Sequence, residues 1–186
     1  ELVRSIKNRT PFNTIRGLMY SDVDGKIIRN HARDRIRDLD VLPLPAYDLF
    51  PMDRYPLHRL VTSRGCPYSC SWCNSTSIWQ HGIRFMSAER MILEVENLLN
   101  NYGKKIMVFG DNTFNANPAR IMIFCDLLIE KNIQLLWSAS IRADLMTREL
   151  AMKMKEAGCY NVSIGVESAN NEMLKKMGKN TTIEEI

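Results

Sequence analysis

HRLVTSRGCPYSCSWC, residues 58–73, is the stretch whose reading decides the rest of the chain. Residues 59–63, RLVTS, mix apolar and β-branched side chains and are expected to form a strand buried in a sheet. Gly65 breaks that run, and Cys66, Cys70 and Cys73 follow as C-x-x-x-C-x-x-C on a turn-rich loop. Three thiolates this close can ligate three irons of a four-iron, four-sulfur cube and leave the fourth iron without a protein ligand. An open metal position is the mark of a catalytic site, by the logic that separates catalytic from structural zinc. Two plainer readings stand beside this one. Cys66, Cys70 and Cys73 with His81 would make a Cys₃His zinc site, and cysteines also serve simply as buried apolar residues. Three cysteines set among Gly, Pro and Ser on one short loop are a poor packing pattern, which favours a metal.

CPYSCSWC resembles the signature loop of the radical S-adenosylmethionine (radical SAM) superfamily, C-x-x-x-C-x-aromatic-C, with Trp72 at the aromatic position. TSRGCPYSC is similar to the branch whose members also carry a cobalamin-binding domain, among them the anaerobic magnesium-protoporphyrin monomethyl ester cyclase. The resemblance implies a [4Fe-4S] cluster on Cys66, Cys70 and Cys73, with S-adenosylmethionine chelating the open iron through its amino and carboxylate groups. It implies reductive cleavage to a 5′-deoxyadenosyl radical, used for methylation or oxidative cyclisation of a small-molecule substrate. An electron donor such as flavodoxin or ferredoxin would feed the cluster, and cobalamin would come through a domain outside this chain. The alternatives are a non-catalytic zinc or iron–sulfur binding module and an inactive fragment.

Composition narrows the field. The 186 residues provide for one sizeable domain with an appendage. No apolar run approaches the ~18 residues needed to span a bilayer, and the N-terminus has no signal-peptide pattern. The net charge of +4 is dispersed among acids, so no nucleic-acid patch is expected. Five cysteines, three of them on one loop, argue against a disulfide framework and for a reducing cytoplasm.

Three segments are expected. Residues 1–30 open with a helix over 1–7 and continue as a hairpin, strands 15–20 and 26–30 flanking Asp24-Gly25. IRGLMYSDVDGKIIRN resembles the tail of a cobalamin-binding domain. Residues 31–57 form a linker, since Pro43, Pro45, Pro51 and Pro56 exclude a helix, and its apolar residues suggest that it packs on a domain surface. Residues 58–186 are read as the N-terminal two-thirds of a radical SAM core domain. Thr182 and Glu185 form a capping box that opens a helix at the end of the chain, so the sequence is expected to be an internal piece of a longer protein.

Within residues 58–186 strands and helices alternate. Ser87 caps a helix ended by Gly103, and a strand over 105–109 follows. Asn117-Pro118 begins a second helix. A strand over 135–138, a helix from Thr147 to Gly158, a strand over 162–166 and a short helix over 171–177 complete the series. The repeat of roughly thirty residues is that of a βαβ unit. The fold class is therefore α/β. With the resemblance, it becomes a partial (β/α) barrel, four parallel strands of a six-strand barrel, preceded by the hairpin and linker. A ligand site then lies at the carboxyl ends of the strands. Polar residues fall there after each strand: the cysteines, then Gly110, Asp111 and Asn112, then Ser140 and Arg142, then Glu167 and Ser168.

The resemblance implies that Gly110, Asp111 and Asn112 hold the methionine amino group through backbone carbonyls, against the plainer reading of Asp111 and Asn112 as turn formers. Arg142 would pair with the S-adenosylmethionine carboxylate, the alternative being a salt bridge to Asp144. Glu167 would bond the ribose hydroxyls. Cys125 and Cys159 are expected in the core.

Overall fold

The computed structural model describes residues 1–79 and 82–186, so His81, the fourth ligand of the zinc reading, lies outside the described residues. The chain divides into two units, Glu1–Arg37 and Asp38–Ile186.

In the first unit, α1 (Leu2–Asn8) ends on Arg9 in the left-handed conformation. Strands β1 (Met19–Ser21) and β2 (Ile27–Arg29) pair antiparallel with Tyr20 opposite Ile28. Between them Gly25 takes a φ of 79°, and the Asp22 carboxylate accepts from the Asp24 and Lys26 amides. The first strand is shorter than the sequence suggests. Ile15 instead closes a short turn of helix, and the Asn30 side chain donates to the Phe12 and Ile15 carbonyls.

The boundary at Arg37 falls inside the stretch read as a linker, and residues 38–57 belong to the larger unit. Leu39, Tyr47 and Met52 are buried there. The Asp40 carboxylate accepts from the Ser87 amide, and Arg90 donates to the carbonyls of Asp40 and Leu42. This proline-rich segment is extended, as its φ restrictions require, and it is packed.

Among the described residues the larger unit contains six strands: β3 (His58–Leu60), β4 (Ser63–Cys66), β5 (Gly82–Phe85), β6 (Ile106–Phe109), β7 (Leu136–Ile141) and β8 (Cys159–Ile164). Its helices are α2 (Ser75–Trp79), α3 (Ala88–Tyr102), α4 (Pro118–Glu130), α5 (Arg148–Glu156) and α6 (Asn171–Lys176). Four strands form a parallel sheet in the order β3-β6-β7-β8. Spatial order follows chain order, since each helical crossover returns the chain beside the strand it left. The helix starts are those the sequence marks. Ser87 Oγ accepts from Arg90 N, Asn117 Oδ1 from Arg120 N and Thr147 Oγ1 from Leu150 N.

Two strand expectations are corrected. Residues 59–63 are not one strand: β3 ends at Leu60, and Ser63 begins β4, which leaves the sheet to pair antiparallel with β5. The turn-off comes at Thr62, whose amide and hydroxyl are taken by the Asp111 carboxylate. Gly65, at φ 104°, then brings β4 so close to the Gly82 carbonyl that no Cβ fits between them. The fourth parallel strand runs over 159–164 and not 162–166, because Gly158, at φ 89°, turns straight into the ladder and its carbonyl accepts from Trp137 N.

The core lies between the sheet and helices α3, α4 and α5. Phe109 meets Phe114, Phe124 and Trp137 at ring-centroid distances of 4.7, 5.4 and 5.4 Å, and all four side chains are fully buried. The Trp137 indole N–H donates to the Ala157 carbonyl at 2.8 Å, which satisfies its polar atom inside the core. Cys125 belongs to this cluster and Cys159 packs against it. Burial raises both thiols, to about 12 and about 11 respectively.

Candidate functional site at the carboxyl ends of the strands

The carboxyl ends of the parallel strands and the cysteine loop enclose one cavity of about 410 Å³, a size suited to a small ligand. Cys66, Cys70 and Cys73 all line it, as do Trp72, Asn112, Ser140, Arg142 and Glu167. Gly110, Asp111 and Ser168 are not among its lining residues. Sequence reasoning missed Tyr68, Thr113, Ser163 and Lys179, which are. Tyr68 stands inside the cysteine motif and Thr113 directly follows Asn112, so position alone could have marked them. Lys179 gave no signal.

The three thiols are free, Cys66 and Cys70 half-buried and Cys73 exposed. Cys66 Sγ lies 3.5 Å from the Thr113 hydroxyl, and the Ser75 amide donates to Cys73 Sγ at 3.5 Å. Burial raises the Cys70 thiol, while the charges of Arg142 and Lys179 pull it the other way. Cations and N–H donors around sulfur are what an anionic thiolate centre needs. Among the described residues no group of three His, Cys, Asp or Glu side chains is arranged to hold a single metal ion.

The loop is braced from far along the chain. The Arg142 guanidinium lies 3.8 Å from the centroid of the Tyr68 ring, close enough for a cation–π contact. Its Nε and Nη2 donate to Asp144 at 2.9 and 2.8 Å, and Nη2 also reaches the Lys179 carbonyl at 2.9 Å. The salt bridge to Asp144 that competed with a ligand role for Arg142 is therefore present. Burial works to lower the Arg142 pKa, but the Asp144 carboxylate together with Tyr68 and Cys70 outweighs it and the group is held above its usual range. The Ser71 amide donates to the Met177 carbonyl at 2.9 Å, tying the loop to the end of α6.

Lys179 is buried, and its ammonium donates to the Gly165 carbonyl and lies 3.5 Å from Glu167 Oε1. Glu167 itself sits at φ 65°, an uncommon conformation for a residue with a side chain. A Cβ on Gly165 would stand 2.5 Å from Glu167 Oε1, so glycine there leaves room for the carboxylate to fold back to Lys179.

Asp111 is tied into the protein through its side chain. Its side chain is buried and faces away from the cavity, toward Thr62 and Ser63. Burial raises its pKa, opposed by hydrogen bonds from Ser63 and Thr62 and by the charge of Arg120. Arg120, also buried, is pushed down to about 10 by desolvation.

A cysteine-bearing loop at the carboxyl end of a parallel β/α sheet defines a class of protein, and comparison with known sequences assigns it. The Radical SAM superfamily profile matches residues 60–186, and the chain belongs to that superfamily. Over 187 residues it is 35% identical to an uncharacterized methyltransferase, PH0819, of Pyrococcus horikoshii, covering 98% of this chain and 40% of that protein. It is 28% identical to the anaerobic magnesium-protoporphyrin IX monomethyl ester cyclase of Rubrivivax gelatinosus, covering 93% of this chain and 32% of the cyclase. The chain thus spans less than half the length of these relatives. Among solved structures, the cobalamin-dependent S-adenosylmethionine radical enzyme OxsB with aqua-cobalamin bound superposes with a TM-score of 0.79. That match has 26% identity and covers 99% of this chain and 28% of OxsB. The radical SAM methyltransferase TsrM from Kitasatospora setae shares the fold, with a TM-score of 0.75 at 20% identity, over 99% of this chain and 39% of TsrM. Among the described residues no helix is long and apolar enough to cross a membrane.

Proposed function

We propose that Cys66, Cys70 and Cys73 hold a [4Fe-4S] cluster whose fourth iron is left open for S-adenosylmethionine. The intact protein would use this centre to methylate or oxidatively cyclise a small molecule. Bound there, the cluster would supply one electron that breaks the S–C5′ bond, leaving methionine and a 5′-deoxyadenosyl radical. The observation that carries this reading is the convergence of all three thiols on one cavity with Arg142, Lys179 and Glu167.

Each residue has a task in this reading. Arg142 and Lys179 offer positive charge to the S-adenosylmethionine carboxylate. The backbone carbonyls of Asn112 and of Gly110 and Asp111 behind it would receive the amino group. Glu167 would accept from the ribose hydroxyls, with Ser140 and Ser168 as further polar partners. The Trp72 ring, half-exposed at the cavity, would cover the ligand from water. A flavodoxin or ferredoxin would reach the cluster from the side of exposed Cys73 in the cytoplasm. Cobalamin would be carried by a domain preceding residues 1–30, in keeping with the cobalamin that OxsB and TsrM bind.

Anaerobic reconstitution of the intact protein tests this. About four irons per chain are expected, and the electron paramagnetic resonance spectrum of the reduced cluster should change on titration with S-adenosylmethionine. Stoichiometric zinc without iron, or a spectrum indifferent to S-adenosylmethionine, would overturn it.

A further inference from the structure

Three consecutive residues after β6 each hold a successive point of the cysteine hairpin. Asp111 accepts from the Thr62 amide at 3.1 Å, from the Thr62 hydroxyl at 3.1 Å and from the Ser63 hydroxyl. Asn112 Nδ2 donates to the Gly65 carbonyl at 3.4 Å and to the Ser75 hydroxyl at 2.9 Å. The Thr113 hydroxyl lies 3.5 Å from Cys66 Sγ. Attachment thus runs in register along the hairpin, from 62 and 63 through 65 to 66, and Ser75 extends it to the helix after Cys73. These contacts join residues 37 to 49 positions apart in the chain.

Arg120 joins the same network: its Nη1 donates to the Thr62 carbonyl and hydroxyl, each at 3.2 Å. The Thr62 amide can only donate, so the Asp111 carboxyl accepts there, and the Thr62 and Ser63 hydroxyls each have a proton to give it. Gly110 completes the junction. Its amide donates to the Leu60 carbonyl at 2.6 Å, and a Cβ there would stand 2.5 Å from the Arg59 side chain.

We infer that Asp111, Asn112 and Thr113 form a positioning template whose side chains set where the cysteine hairpin leaves the sheet, and hence where Cys66 stands. The role belongs to the side chains and is separate from any carbonyl contact to a ligand. It rests on the proposed cluster only for what the hairpin carries. The template itself concerns the position of the hairpin in the metal-free protein.

The test uses the intact protein and two readouts. Asp111→Asn presents an amide donor to three donors. In the metal-free protein, amide hydrogen exchange over residues 62–66 should accelerate roughly tenfold to a hundredfold, the loss of one charge-assisted hydrogen bond, while β7 keeps its protection. After reconstitution, iron should leave to a chelator faster by a similar factor. Asn112→Ala and Thr113→Val should act the same way more weakly, roughly two- to tenfold, and Thr113→Ser should restore the wild-type rate. If Asp111→Asn does not fold, these three variants decide. Wild-type exchange over 62–66 in the soluble variants, or acceleration spread equally over β7, would overturn the template. Wild-type protein that takes up no iron would refute the cluster and leave the exchange result to judge the template by itself.

Discussion

The parallel sheet and the cysteine hairpin meet at Thr62 and are held by opposite means. Beneath the sheet, Phe109 and Trp137 of its strands pack ring against ring with Phe114 and Phe124 with no exposure, and apolar burial of this kind is strong and non-directional. The hairpin buries only Ser63 and Gly65 of β4 and nothing in β5. Its shape depends on hydrogen bonds to Asp111 and from Asn112 and Arg120, and the loop beyond it depends on Arg142 and the Met177 carbonyl. Stability therefore resides in the sheet, and the placement of the cysteines resides in polar residues at the strand ends.

That division can be broken experimentally, and the largest effect should come from the loop. Changing Cys66, Cys70 or Cys73 singly to Ala should take bound iron from about four per chain to almost none, measured by iron analysis after reconstitution. Cys125→Ala and Cys159→Ala should keep the iron. A loop variant with full iron would remove the hairpin from the site.

Trp137→Ala should do the reverse. It deletes the centre of the ring cluster and should cost about 3–5 kcal/mol in chemical denaturation, with iron uptake intact wherever the protein remains folded. A loss under about 1 kcal/mol would show that the ring cluster is not the core.

Smaller effects sharpen the contrast within the cavity. Arg142→Ala and Glu167→Ala should each weaken S-adenosylmethionine by roughly ten- to a hundredfold, about 1.5–3 kcal/mol for a charge-assisted hydrogen bond. The reading is the titration of the reduced cluster, with iron content unchanged in Glu167→Ala. Arg142→Ala should also loosen the Tyr68 contact, so iron loss in that variant alone would assign Arg142 to the loop and not to the ligand.

The smallest effect is expected on β8, the last strand of the sheet, where Tyr160, Val162 and Ile164 are exposed. Val162→Ala should change stability by no more than about 0.5 kcal/mol. A loss as large as that of Trp137→Ala would mean that this face is covered in solution.

The sequence carried the helices well, because their signals are local. Ser87, Asn117 and Thr147 each cap the helix they precede, and Gly103 closes α3 in the left-handed conformation. Strand ends were less readable. Thr62 reads as one more β-branched residue in a strand, and nothing nearby in sequence says that a carboxylate 49 positions away will turn it aside. Arg142 shows the same limit, since Asp144 beside it was visible but Tyr68 and the Lys179 carbonyl were not.

By itself the sequence determined the α/β class, the alternation of strands and helices, and the gathering of three cysteines on one short loop, since periodicity, caps and residue spacing are properties of neighbours along the chain. Only the tertiary structure decided that 59–63 divides between two sheets, that residues 38–57 pack with the larger unit, and that Asp111 faces inward while Lys179 enters the cavity. Those outcomes depend on which strand ends fold side by side, and a buried carboxylate or ammonium finds its partners across that distance and not along the chain.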